Sequence, residues 1–244
     1  MSDIYLLILL FFVIATVYSS VGFGGGSSYL AVLSLFPMAF EDMRMTALIC
    51  NIVVVGTSVF LFNKHQYLDW KKTLPLITLS IPLAFLGGRL LIAERLFFIL
   101  LAISLMLAAA AMLLNRKSSV LKIPQYGNAA IGGSIGFLSG VVGIGGGIFL
   151  SPLLHLSRWG KPKAIAATSA IFILVNSVAG LLGQWMTYGI NLNTNKMLVL
   201  ILVVFLGGQI GVRWTIHQLD PITIRRITAI VVLIVSLRLL FKYL

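Results

Sequence analysis

Charge and sulfur are both scarce in this chain. Of 244 residues only 10% are charged and only six of those are acidic, while cysteine occurs once, at Cys50. A single thiol excludes an internal disulfide and any multi-cysteine metal site, and a buried, packed thiol is the expectation. No cofactor or metal is expected. The scarcity of charge accompanies 59% hydrophobic residues and a mean hydropathy of +1.06, which leaves too little polar surface for a soluble globule of this size. An all-α polytopic membrane protein is therefore expected. The net charge of +12 would suggest nucleic acid in a soluble protein. Here Lys and Arg fall in short gaps between apolar runs, so they read as topology signals and no nucleic-acid partner is expected. Also absent is a basic region ahead of the first apolar run, which follows Met1-Ser2-Asp3 with no small-residue cleavage site after it. That run is expected to stay as a membrane helix.

Polar gaps divide the chain into apolar segments at about residues 4–22, 27–38, 45–63, 73–92, 96–114, 127–142, 148–157, 164–185, 196–213 and 222–241, five in each half. A spanning helix needs roughly 20 residues at ~1.5 Å rise each, so 27–38 and 148–157 are short. If each half crosses five times, one face collects Lys64, Lys71, Lys72, Arg116, Lys117, Lys122, Arg158, Lys161, Lys163, Arg213, Arg225 and Arg226. The other face keeps Arg44, Arg89, Arg95, Lys196, Arg238 and Lys242. By the positive-inside rule the richer face is cytoplasmic, with both termini outside in a multi-pass cell (inner) membrane protein. If the short segments do not cross, the same cations divide evenly and carry no orientation signal. Trp70, Trp159, Trp185 and Trp214 lie at segment ends, as an interfacial belt requires.

Both short segments follow a glycine knot, Val21-Gly22-Phe23-Gly24-Gly25-Gly26 in the first half and Val142-Gly143-Ile144-Gly145-Gly146-Gly147 in the second. Gly22 and Gly143 are 121 positions apart, and the same offset relates Leu33 to Leu154, Leu35 to Leu156 and Tyr67 to Tyr188. With the offset slipped by one, Phe85-Leu86-Gly87-Gly88 returns as Phe205-Leu206-Gly207-Gly208. The chain thus reads as a duplication: a first transmembrane repeat at 1–114, a linker at 115–126 and a second repeat at 127–244. An odd number of crossings per repeat inverts the second relative to the first, the architecture of many secondary transporters, with broken helices at the paired knots. Freed backbone groups at membrane depth are tolerated only where protein or an internal cavity satisfies them, so a paired break points to a binding site. Close helix packing is the competing reading of these glycines.

The doubled Gly-x-Gly-Gly-Gly knot, Ser139-Gly140 before its second copy and Ser151-Pro152-Leu153-Leu154 after it resemble the sulfite exporter TauE/SafE family, also called the toluenesulfonate uptake permease family. The resemblance covers almost the whole chain. It implies a small membrane transporter of sulfite, thiosulfate, sulfoacetate or another sulfonate. Ala31 stands where the second half has Pro152, and Ser27-Ser28 where it has Ile148-Phe149, so the halves are expected to make different contacts.

A helix starting just after a glycine turn offers unpaired N–H groups at the positive end of its dipole, which suits a small oxyanion without any buried lysine. The candidate substrate-binding residues are therefore Ser20, Gly22, Gly24, Gly25, Gly26, Ser27 and Ser28 around the first knot, and Gly143, Gly145, Gly146, Gly147 and Ser151 around the second. Polar residues deep in apolar segments extend the set to Asn51, Thr168, Ser169 and Asn176, with Gln209 after the second Gly-Gly pair. Thr57, Ser58, Ser177 and Gln184 share that placement, although Ser and Thr often bond their own helix backbone. Arg89, near a segment end, reads as a snorkelling anchor. The carboxylates Asp3, Glu41, Asp42, Asp69, Glu94 and Asp220 map to gaps or ends, unlike a mid-membrane proton relay.

The expected function is secondary-type export of a small anionic solute by alternating access, in contact with membrane lipid; a homo-oligomer is compatible with the sequence. An anion leaving a negative interior gains ~2.3 kcal/mol per 100 mV, so export needs no coupling ion. Two alternatives remain, an anion channel and an intramembrane hydrolase with a knot as oxyanion hole. The hydrolase needs a base beside its nucleophile, whereas His65, His155 and His217 lie in gaps or near segment ends, so no enzyme activity is expected.

Overall fold

A computed structural model describes residues 2–90, 93–113, 127–157, 159–189 and 194–217, with scattered positions between 222 and 241. The described residues form nine helices and no strand: α1 Ser2–Ser19, α2 Gly26–Leu33, α3 Phe40–Lys64, α4 Trp70–Arg89, α5 Glu94–Leu113, α6 Gly127–Val142, α7 Gly147–Leu156, α8 Pro162–Tyr188 and α9 Thr194–His217. The expected linker at 115–126 lies outside the described residues, as does half of the expected segment at 222–241. α3, α8 and Lys196–Trp214 within α9 are long and apolar enough to cross a membrane, while Ile4–Ser19 and Asn128–Val142 are apolar but shorter.

Local chemistry explains the helix ends. Asp69 caps α4 by accepting from the Lys72 amide at 3.3 Å, and Pro162 opens α8, where its missing N–H costs nothing. α3 begins at Phe40, five residues before the expected start, because Glu41 and Asp42 sit favourably in its first turn. Arg44 is thereby drawn into the helix and fully buried. The expectation that Arg44 flanks a segment as a topology charge is corrected: its guanidinium is an internal group of the bundle.

The packing interlocks the halves. α1 packs on α9 and α6 on α4, so the first helix of each half lies against the fourth helix of the other; α3 on α9 is matched by α8 on α4, and α3 and α8 pack on each other. Glycines permit this approach. A Cβ at Gly87 would collide with the α6 backbone around Phe137, and one at Gly88 would lie 2.5 Å from the Gly180 carbonyl oxygen of α8. Their counterparts repeat the arrangement, with Gly207 against Phe12 of α1 and Gly208 against Val54 of α3. The recurring Phe-Leu-Gly-Gly is thus a packing device.

Candidate functional site

The two knots are the breaks between α1 and α2 and between α6 and α7. Gly22 and Gly25 adopt φ of 80° and 90°, and Gly143, Gly145 and Gly146 adopt 68°, 77° and 79°. Side chains rarely tolerate this left-handed region, so glycine is required there. Gly25 and Gly146 are the residues preceding α2 and α7, and neither helix start is capped by a side chain. The first two amides of each helix, those of Gly26 and Ser27 in α2 and of Gly147 and Ile148 in α7, precede the first bonds to the Gly25 and Gly146 carbonyls, which the Ser28 and Phe149 amides make at 3.0 and 3.1 Å.

Asn51, fully buried at the middle of α3, is the residue that joins the knots. Its Nδ2 donates to the Ile144 carbonyl of the second knot at 3.1 Å. The same side chain fills the space beside Gly24 and Gly26 of the first, where added Cβ atoms would collide with it. A Cβ at Gly145 would lie 3.2 Å from Asn51 Nδ2 and 2.7 Å from Ser177 Oγ of α8. Asn51 Oδ1, Ser177 Oγ and both amide atoms of Asn176 are buried without a protein hydrogen-bond partner, as are Ser139 Oγ and Ser169 Oγ. An unmade hydrogen bond at a buried polar group costs about 1–3 kcal/mol, so several close to one backbone break mark a place with a use for polar atoms.

The other candidates divide. Ser20 and Ser27 are buried near the first knot, and Ser151 is buried on α7. Ser20 Oγ donates to the Val17 carbonyl at 2.6 Å and Ser28 Oγ to the Tyr18 hydroxyl at 2.7 Å, both inside the first half. Thr168 shares a 3.1 Å hydrogen bond with Thr73 of α4. Gly147 faces the Ile173 side chain and Gly146 faces Phe172 and Ser139. Gln209 is half-buried on α9, the helix that packs on α1 and α3.

Near Gly143 the structure joins Gln184, one of the polar residues deep in an apolar segment, to Arg44, which hydropathy places at a segment end. A Cβ at Gly143 would have Gln184 Nε2 at 3.5 Å and Arg44 Nε at 3.6 Å. Arg44 Nη2 donates to the carbonyls of Val141 at 2.9 Å and Gly140 at 3.3 Å, the last turn of α6. A cation there complements the negative end of the helix dipole. Tyr188 of α8 also hydrogen-bonds Arg44, and the guanidinium lies 5.5 Å from the Phe40 ring centroid.

A family model described as "Sulfite exporter TauE/SafE" matches residues 7–239. The chain is 32% identical over 240 residues to "Probable membrane transporter protein y4hK" of Sinorhizobium fredii, covering 95% of this chain and 96% of that protein. It is 26% identical to "Probable membrane transporter protein YunE" of Bacillus subtilis, with 97% of each chain covered. A third relative, "Probable membrane transporter protein MJ0441" of Methanocaldococcus jannaschii, is 25% identical over 72% of this chain and 70% of its own. No solved structure matches the chain significantly.

Proposed function

Because this chain belongs to the sulfite exporter TauE/SafE family, we propose that it is a secondary-type transporter that exports a small sulfur-containing oxyanion, sulfite, thiosulfate or an organosulfonate, by alternating access around the two knots. The observation that carries this reading is Asn51, one side chain in contact with both breaks and bonded to one. An anion held there would meet the amide ends of α2 and α7, whose dipoles favour negative charge, together with Ser177 Oγ. Helix ends and neutral donors bind an anion without the desolvation that a buried lysine would suffer, and they release it again.

Two inverted repeats, 1–114 and 127–244, supply the mechanism. The reciprocal packing of α1 with α9 and α6 with α4 is what such a pseudo-two-fold relation requires. With Arg44 internal, the cations that report topology favour the five-crossing arrangement more strongly, with both termini outside. Among the described residues Glu41, Asp42, Asp69 and Glu94 all sit at or beside helix starts, so outward flow is driven by the anion's gradient and the membrane potential.

Purified protein in liposomes loaded with sulfite, thiosulfate, sulfoacetate, sulfate or chloride, assayed chemically, tests this. Saturable release of one sulfur anion over sulfate and chloride is expected. Release that stays linear with concentration would replace alternating access by a channel, and retention of all three sulfur anions would remove the substrate class.

A further inference from the structure

α3 and α8 run past each other in opposite senses, and their polar residues meet in steps. Gly145 has Asn51 of α3 and Ser177 of α8 beside it, Leu48 of α3 lies 3.9 Å from a Cβ built at Gly180 of α8, and Gly143 has Arg44 and Gln184 beside it. Arg44 and Asn51 are seven residues apart, as are Ser177 and Gln184, and seven residues make two turns, so each pair shares one helix face about 10 Å apart. The two steps flank different glycines of the second knot, Gly145 at one and Gly143 at the other. They are two positions.

We propose that Arg44, Gln184 and Gly143 form a second oxyanion station, next to the Asn51–Ser177 position and toward the end of the bundle where α3 begins and α8 ends. This rests on the reading of the knots as the substrate site and adds a selectivity position to it. Gln184 is 1% exposed and neither of its amide atoms has a protein partner. A buried carboxamide with both ends unused is expensive, and its Nε2 faces the side of Gly143 where no Cβ intrudes. Arg44 supplies a permanent positive charge at that place, with Nη2 engaged on the α6 carbonyls and Nε toward Gly143. Arg44 Nε and Gln184 Nε2 form a convergent donor pair for two oxygens of a monoanionic oxyanion such as a sulfonate or hydrogen sulfite. The first knot has no such station: the equivalent Gly22 is closed by the Ala166 backbone of α8, and the position matching Arg44 at the offset of 121 is Ile165. The station therefore admits anions at one end of the path only.

The test is electrostatic and independent of substrate identity. In the full chain carrying Cys50→Ala and Gln184→Cys, reconstituted in liposomes, the thiol is labelled with an anionic sulfonatoethyl or a cationic trimethylammonioethyl methanethiosulfonate, each rate taken relative to a free thiol. With Arg44 in place the anionic reagent should react ~10-fold faster, since a buried cation raises the local anion concentration. Arg44→Lys should keep a preference, and Arg44→Gln should bring the ratio to about one. Equal rates with Arg44 present, or no labelling by either reagent in protein that elutes as a folded species, would overturn the station. That decision needs no Arg44 variant, so failure of Arg44→Gln to insert does not weaken it. An anionic preference without release of any sulfur anion from unsubstituted protein would keep the station and remove the sulfur-anion assignment. Release with no preference would do the reverse.

Discussion

The two knots carry nearly the same motif and are built into different surroundings. Gly22 is pressed against backbone, with the Ala166 carbonyl of α8 occupying the place of its missing Cβ, whereas Gly143 looks into polar side chains 3.5 Å or more away. At the first knot Gly22 is closed by main chain, the Asn51 side chain fills the space beside Gly24 and Gly26, and the hydroxyls of Ser28 and Ser20 are engaged locally on Tyr18 and Val17. The second is lined by groups that can rearrange. The same glycine pattern thus makes a backbone break in both halves, with main chain against Gly22 and polar side chains near Gly143.

Substitutions at the two equivalent glycines should separate most sharply. Gly22→Ala forces a left-handed alanine and a methyl group into the Ala166 backbone, which cannot yield without moving α8. Loss of the folded monodisperse species on size exclusion is expected. Gly143→Ala carries only the left-handed strain, roughly 1–2 kcal/mol, because its Cβ would make ordinary contacts. This variant should fold, with a lowered Tm in detergent and weakened anion release. Equal loss from both would erase the contrast.

Next in size is Asn51→Ala, which leaves the Ile144 carbonyl without its donor and opens space beside Gly24 and Gly26. A loss of about 1–3 kcal/mol is expected, read as a lower unfolding midpoint, together with near-complete loss of release. A stable variant with unchanged transport would mean that the knots work without their shared side chain. The smallest effect belongs to Ser28→Ala, which loses a hydroxyl bond to Tyr18 worth about 1 kcal/mol. Its transport should match the unsubstituted protein; a raised half-saturation concentration would return Ser28 to the substrate.

Much of this fold is legible from hydropathy and glycine. Segment 127–142 coincides with α6, and the segments at 73–92, 96–114 and 148–157 lie within three residues of α4, α5 and α7 at either end, because apolar length and polar gaps determine where a membrane helix starts and stops. The breaks are legible too, since left-handed backbone within apolar sequence calls for glycine. Arg44 is not. Placed two residues after Asp42 and directly before an apolar run, it looks like a flank, and only the depth of α3 and the approach of α6 make it internal. Phe-Leu-Gly-Gly is visible as a repeat, but its partners lie in the opposite half, beyond the reach of local pattern. The Ser28–Tyr18 hydrogen bond is invisible for a related reason, because the two meet only after the chain turns back at the first knot.

The reciprocal packing of α1 with α9 and α6 with α4 also bears on how the protein is made. As the chain is made, α1 and α4 precede the helices they pack against, and Gly87 and Gly88 lack α6 and α8 until those follow. Neither half completes its own core. The packing of α4 and of α1 must therefore wait for α6 and then α9.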